Sequence, residues 1–220
     1  MERATVVLAT GNTKKLTELR RLVDAAGLSL TVLGLGEVAD YPVPAETEPT
    51  FEGNALIKAR ACVAATGLPG LADDSGLAVD VLNGMPGVRS ARWAGPDATD
   101  EDNNALLLRQ LDDVSDERRG ARFVCAMALV LPQSAAQPAG AEHVRTGAMT
   151  GRLLRTPAGA RGFGYDPLFV AEGQNVTNAE LTGEAKDAIS HRGKAVRAMI
   201  DVLATEVVGK VGNEDLSRSS

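Results

Sequence analysis

Short apolar runs alternate with segments of helical periodicity through the first half of the chain, and glycine or proline marks most of the changes. Val6–Ala9 predicts a strand, and the leucines that follow its Gly-containing turn recur at helical spacing. A second strand is predicted over Ser29–Leu35, a helix over Phe51–Thr66 and another strand over Leu77–Leu82. Strands that alternate with helices are typical of α/β proteins, so we expect an α/β fold with a mixed sheet.

The second half of the chain predicts a hairpin or meander of two strands, together with three helices. In chain order these elements lie over Thr99–Leu111, Arg122–Leu131, Glu142–Thr150, Asn178–Glu184 and Ser190–Val207. No internal repeat or linker divides the sequence. We therefore expect residues 1–210 to form a single domain and residues 211–220, which are polar, to be a disordered tail.

Composition excludes several classes of partner. The net charge is −6, from 23 Lys and Arg against 29 Asp and Glu, whereas a protein that binds duplex nucleic acid usually has a basic face. Aromatic residues make up 3% of the chain, too few for a base-stacking platform. No apolar run approaches the roughly 20 residues of a membrane helix, and no signal peptide is visible. We expect a cytoplasmic protein that binds neither nucleic acid nor membrane, with Cys62 and Cys125 as buried thiols.

The turn after the first predicted strand is rich in polar residues. It contains Thr10, Gly11, Asn12, Thr13, Lys14 and Lys15. Backbone amides at a helix N-terminus form an anion site, and the two lysines add positive charge to it. A plain strand-to-helix turn with an asparagine cap explains this segment equally well.

An acidic group follows the third apolar run. Asp73 and Asp74 precede Ser75 directly, and we expect them at a strand end where the backbone turns. Glu46 and Glu48 lie upstream in a Pro-rich loop. Clustered carboxylates beside a polyanion site suit Mg²⁺, which takes one or two of them and keeps several waters. The sequence Asp-Asp-Ser-Gly is also common in turns, so a metal site is one of two interpretations.

Two further segments carry cations or aromatic rings. Ser190 is predicted to cap the last helix, which places His191 and Arg192 in its first turn. Positive charges there oppose the helix dipole, which favours their use on a ligand over an exposed cap. The second segment, Gly162–Pro167, holds two of the six Phe and Tyr residues and one acid, Asp166. It predicts either a wall for a flat ring, with the acid on a base edge, or a tight loop plugged by aromatics.

Together and in this order, the motifs resemble those of the inosine triphosphate pyrophosphatase family. The resemblance runs from Val6 to about Leu203. The matching segments are Ala9–Asn12 with Lys15, Phe51 with Asn54–Ala55 and Lys58–Ala59, Ala72–Leu77, Phe163–Pro167 and Ser190–Gly193. Each motif is weak alone, but five in the same order make the resemblance specific.

The resemblance implies a two-lobed α/β fold, with an elongated mixed sheet flanked by helices and an active cleft between the lobes. It also implies a homodimer. The implied activity is Mg²⁺-dependent hydrolysis of nonstandard purine nucleoside triphosphates (ITP, dITP and XTP) to the monophosphate and pyrophosphate, which cleanses the nucleotide pool. The sequence does not choose among these three substrates.

Residue roles also follow from the resemblance. It implies that Asp74 is the general base and a metal ligand and that Glu46 is the second metal ligand, with Glu48 as the alternative. The implied substrate-binding residues are Thr10, Gly11, Asn12, Thr13, Lys14, Lys15, Lys58, Ser75, Phe163, Gly164, Tyr165, Asp166, Lys186, His191 and Arg192. Donors on His191 and Arg192 would favour a 6-oxo purine, which offers an acceptor where adenine offers a donor.

Three other functions fit parts of this pattern. A related pyrophosphatase for modified pyrimidine or methylated nucleotides would keep the phosphate loop and the acids but lack the Ser-His-Arg helix start. A sensor that binds purine nucleotides without hydrolysis would not need Asp73 and Asp74. A nucleoside triphosphatase that releases inorganic phosphate would share the substrates and differ only in its products.

Overall fold

The computed structural model of the chain describes residues 3–38, 41–133 and 140–209. The predicted tail, residues 211–220, lies outside the described residues. None of the helices in the described ranges is long and apolar enough to span a membrane.

The described residues form an α/β fold with one six-stranded sheet in the order β2-β1-β3-β4-β5-β6. The strands are β1 Ala4–Leu8, β2 Leu30–Gly34, β3 Gly70–Val79, β4 Gly120–Leu131, β5 Ala141–Leu153 and β6 Phe169–Ala171. Strand β1 is parallel to β2 and β3, whereas β5 and β6 are antiparallel, so the sheet is mixed as predicted.

Five α-helices accompany the sheet in the described ranges: α1 Thr13–Ala25, α2 Phe51–Thr66, α3 Asp100–Gln110, α4 Gly183–Ile189 and α5 His191–Leu203. A π-helical turn, Ala204–Val208, continues α5. The predicted helix over Phe51–Thr66 is confirmed at both ends. Thr50 caps its start, and Gly67, with a φ of 67°, ends it in the left-handed conformation.

Some predictions of secondary structure were wrong in position, and one strand was missed. Asp73 and Asp74 do not end a strand, because β3 continues through them to Val79. The helix predicted over Asn178–Glu184 is instead α4, which begins at Gly183 after a Thr182 cap. Strand β6 was not predicted; it has three residues, too few to show an alternating pattern.

The described residues divide into two compact units, the first made of those within 3–74, 126–146 and 195–209. In this unit β1, β2 and β3 as far as Asp74 pack with α2 through small side chains. The buried residues of this core are Val7, Ala9, Ala55, Ala59, Cys62, Ala72, Ala128 and Val130. Small residues on one face of α2 allow the helix backbone to approach the sheet closely.

The second unit is made of Ser75–Cys125 and Gly147–Lys194. Its core contains several buried aromatic side chains. The buried residues are Leu77, Val79, Leu107, Leu111, Ala121, Phe123, Met149, Leu153, Tyr165, Leu168, Phe169 and Ala171. The rings of Phe123 and Phe169 lie 4.8 Å apart at an interplanar angle of 60°, a tilted arrangement favoured by aromatic pairs.

The close approach of α2 to β3 gives the first prediction. A Cβ on Gly70 would lie 2.6 Å from the carbonyl oxygen of Ala59 and 3.0 Å from a methyl group of Val63. We expect Gly70→Ala to lower the free energy of unfolding by about 1–3 kcal/mol, since the backbone of α2 must move away. Gly36→Ala is the matched control, because a Cβ there meets nothing within 4 Å. Urea unfolding of both variants measures this, and equal stability would contradict the close packing.

Candidate active site

The polar turn after β1 forms the capped start of α1. The side-chain oxygen of Asn12 accepts hydrogen bonds from the amides of Lys14 at 3.0 Å and Lys15 at 3.4 Å, and the Thr10 hydroxyl accepts one from the Asn12 amide. The predicted asparagine cap is therefore confirmed. Because the cap occupies these two amides, the turn would bind an anion mainly through the side chains of Lys14 and Lys15.

Two consecutive acids of β3 are each paired with a lysine from a different helix. The Asp73 carboxylate lies 2.9 Å from Nζ of Lys15 on α1, and that of Asp74 lies 3.4 Å from Nζ of Lys58 on α2. Both acids are buried. Neighbouring side chains on a strand point to opposite faces, which explains why the two acids meet different lysines.

Lys58 also contacts one of the two glutamates of the Pro-rich loop. Its Nζ donates to Oε1 of Glu46 at 3.0 Å, so the carboxylates of Glu46 and Asp74 converge on one ammonium group. Glu48 is exposed and is bound to the helix through its backbone. This geometry supports Glu46 over Glu48 as the partner of Asp74. Among the described residues, no three His, Cys, Asp or Glu side chains gather as a metal site, so a metal there would rely on fewer protein ligands.

Burial and the neighbouring charges shift the pKa values of this cluster in opposite directions. Burial raises the pKa of Asp74, the Lys58 ammonium lowers it and Glu46 raises it, with a net increase. Burial lowers the pKa of Lys58, but the carboxylates of Asp74, Asp73 and Glu46 more than offset this, so its pKa lies above the usual value. Lys58 is thus protonated, and Asp74 is a better proton acceptor than an exposed aspartate.

Asn54 was missed as a functional residue. Its side chain is fully buried, and its amide nitrogen donates at 3.2 Å both to Oδ2 of Asp74 and to the carbonyl of Glu48. Its oxygen accepts from the Glu48 amide at 3.0 Å. Asn54 therefore orients the Asp74 carboxylate and holds the glutamate loop. In the sequence, Asn54 was quoted in the motif of α2 but was given no role.

In the second unit, Asp166 organises the aromatic loop. Its Oδ2 accepts from the Phe163 amide at 2.9 Å and from Nζ of Lys186 at 2.5 Å, while Oδ1 accepts from Asn178 at 3.2 Å. The residue is buried. Both oxygens are occupied by protein donors, so an additional contact with a base edge stays a prediction.

The two aromatic residues of this loop have different surroundings. Phe163 is half-buried, with Nζ of Lys186 at 5.2 Å and Cζ of Arg192 at 5.6 Å from its ring centroid. Tyr165 packs in the core, and its hydroxyl donates to the carbonyl of Ser90 at 2.9 Å. Burial raises the pKa of Tyr165, so the hydroxyl stays a donor. Tyr165 thus plugs the loop, whereas a ring wall at Phe163 stays a prediction.

The start of α5 matches its prediction. Helix α5 begins at His191, and the Ser190 hydroxyl accepts from the Gly193 amide at 2.9 Å. Both residues of the first turn are buried. Arg192 donates to the Ser75 hydroxyl at 3.1 Å, and the His191 ring stacks on Phe123 with centroids 4.8 Å apart.

The predicted site residues therefore form two clusters, one in each unit. The first unit brings together Lys15, Glu46, Lys58, Asp73 and Asp74, with the turn Thr10–Lys14 at the start of the same helix as Lys15. The second unit brings together Ser75, Phe163, Asp166, Lys186 and Arg192. Each cluster joins residues that are distant in sequence.

The Ham1 family model matches residues 6–202 of the chain. The dITP/XTP pyrophosphatase of Frankia alni is 60% identical over 90% of this chain and 96% of its own length. That of Nocardia farcinica is 57% identical over 93% of this chain and 97% of its own length.

Solved structures give the same result. A HAM1 protein from Coxiella burnetii has a TM-score of 0.79 at 40% identity, with 92% of this chain and 99% of that chain covered. A nucleoside-triphosphatase/dITP/XTP pyrophosphatase from Mycobacterium abscessus has a TM-score of 0.72 at 52% identity and covers 90% of this chain and 99% of its own. With its sequence matched almost from end to end and its fold shared with these structures, the chain belongs to the Ham1 family.

Proposed function

We propose that this protein hydrolyses ITP, dITP and XTP to the monophosphate and pyrophosphate, with Mg²⁺ as cofactor. The observation that carries the proposal is the cluster of Glu46, Lys58 and Asp74, in which two carboxylates, that of Asp74 buried, converge on one cation. Its relatives at 50–60% identity, which carry the name dITP/XTP pyrophosphatase, support the substrate class. We further propose a cytoplasmic homodimer that binds neither nucleic acid nor membrane, as the sequence predicts.

The cluster of the first unit suits the triphosphate and the metal. Because the chain has a net charge of −6, a polyanion must be neutralised by local cations, and Lys14, Lys15 and Lys58 provide them. Glu46 and Asp74 already face one positive group, and carboxylate oxygens are ligands that Mg²⁺ prefers. These two residues would hold Mg²⁺, which when bound supplies charge neutralisation and polarisation of the phosphoryl oxygens.

The chemical step that we propose uses Asp74 as the general base. Its carboxylate, held by Asn54, takes a proton from a water that attacks the α-phosphorus. The bond from this phosphorus to the bridging oxygen breaks, and pyrophosphate leaves with that oxygen. The lysine ammonium groups stabilise the charge that builds up on the leaving group.

The cluster of the second unit suits the base. The Phe163 ring offers a flat face, and the guanidinium of Arg192 and the ammonium of Lys186 lie over it as donors. Donors at this position can bond to the 6-oxygen of a 6-oxo purine. In adenine they would face an amino group, which is itself a donor. A mismatch of this kind costs about 1–3 kcal/mol, which supports selection against ATP.

The products test the proposal. We expect incubation with ITP or XTP and Mg²⁺ to release pyrophosphate, with much less from GTP and UTP. The activity should disappear in excess EDTA and return with added Mg²⁺ or Mn²⁺, because the proposed metal ligands are all oxygens. Quantifying pyrophosphate and phosphate separately distinguishes the alternatives.

Each result that would contradict the proposal indicates a different activity or mechanism. Release of phosphate would indicate a nucleoside triphosphatase of another type, and binding of ITP without any product would indicate a sensor. Preference for a modified pyrimidine or methylated nucleotide would indicate the related pyrophosphatase class. Full turnover in EDTA would show that no metal takes part.

Asp74→Asn tests the proposed base. The substitution keeps the shape of the side chain but removes its charge and its capacity to accept a proton, so we expect kcat for ITP to fall at least about a hundredfold. Binding of ITP should persist, since the lysines and the Phe163 cluster remain. Asp73→Asn is the control, with a milder loss, because that carboxylate faces Lys15 and not Lys58. An active Asp74→Asn enzyme would show that another residue is the base.

A further inference from the structure

Two side chains of helix α3 bind the backbone of Gly164 in the aromatic loop, one at its amide and the other at its carbonyl. Oδ2 of Asp100 accepts a hydrogen bond from the Gly164 amide at 2.6 Å, and Nδ2 of Asn104 donates to the Gly164 carbonyl at 3.0 Å. Asp100 and Asn104 lie four residues apart on one helix and therefore share a face. Gly164 itself has a φ of 61°, a left-handed conformation that glycine adopts without strain.

The two bonds fix the orientation of Phe163. The amide of Gly164 belongs to the peptide plane that follows Phe163, so the bond to Asp100 sets the direction in which the Phe163 side chain leaves the loop. The carbonyl of Gly164 belongs to the next plane, which Asn104 sets. Loop contacts elsewhere hold Phe163 and Tyr165 through other atoms, namely the Phe163 amide and the Tyr165 hydroxyl.

We propose that Asp100 and Asn104 are positioning residues that set base selectivity by holding Phe163 beside Lys186 and Arg192. The inference rests on the proposed function, in which Phe163 forms the wall for a purine. Both residues bond to the backbone of Gly164, so each acts through the loop. Neither was among the residues that the sequence nominated, because their partner is a backbone group some 60 positions away.

The structure also indicates which substitutions preserve the fold. Asp100 is exposed at the first turn of α3, so its removal leaves the core intact. Asn104 is buried, and its Oδ1 has no hydrogen-bond partner within the described ranges. Asn104→Leu keeps the branching of the side chain at Cγ with a larger volume, and it removes that unsatisfied oxygen together with the donor to Gly164.

The test compares kcat/KM for ITP and ATP, with Mg²⁺, in the full-length protein and its variants. We expect Asp100→Ala and Asn104→Leu each to lower the ITP-to-ATP ratio about fivefold, mainly through a higher KM for ITP, since one hydrogen bond to the loop is lost. Asp100→Asn keeps an acceptor for the Gly164 amide and should retain most of the wild-type ratio. Glu101→Ala, which removes an exposed acid from the same helical turn, should leave the ratio unchanged.

The possible outcomes distinguish a positioning role from a merely structural one, and failure of this inference from failure of the proposed function. A merely structural role would reduce the amount of active enzyme and lower kcat for both nucleotides alike. An unchanged ratio in Asp100→Ala and Asn104→Leu, with a wild-type preference for ITP, would therefore overturn the inference alone. A wild-type enzyme without that preference would overturn the proposed function and the inference with it.

Discussion

The pairing of two buried acids with two lysines is the constraint on which the first unit depends. Asp73 and Asp74 lie inside β3, where an unpaired charge would cost several kcal/mol. Lys15 from α1 and Lys58 from α2 compensate these charges. Both helices must therefore lie near β3, and the small residues of α2 allow that helix to pack closely on the sheet.

Local signals in the sequence were enough to predict much of the fold. The caps at Asn12 and Ser190 predicted the starts of two helices, because capping depends on residues within one turn. The interior of β3 was misread as a turn, since Asp, Ser and Gly favour turns in isolation. Their place in a strand depends on lysines from two other elements, a tertiary effect that no local pattern shows.

The sequence nominated many residues of the candidate site but did not show which of them contact one another. The sequence nominated Asp74, Lys58 and Glu46, but only the structure shows that one ammonium group joins the two carboxylates. Asn54 was quoted in a motif without a role, and Asn104 was missed because its partner is a backbone carbonyl, which no side-chain motif shows. The reverse holds for Tyr165, whose place in a Gly-rich loop suggested ligand contact while its side chain packs in a core.

A double-mutant cycle on the unfolding free energy tests most directly whether the Lys58–Asp74 pair holds this unit together. We expect Lys58→Met to cost about 3–5 kcal/mol, because it leaves buried carboxylates without their cation. Adding Asp74→Asn should recover part of this loss, which gives a coupling of at least about 1 kcal/mol. If the two substitutions are additive, the pair does not determine stability, and the central role assigned to it here is wrong.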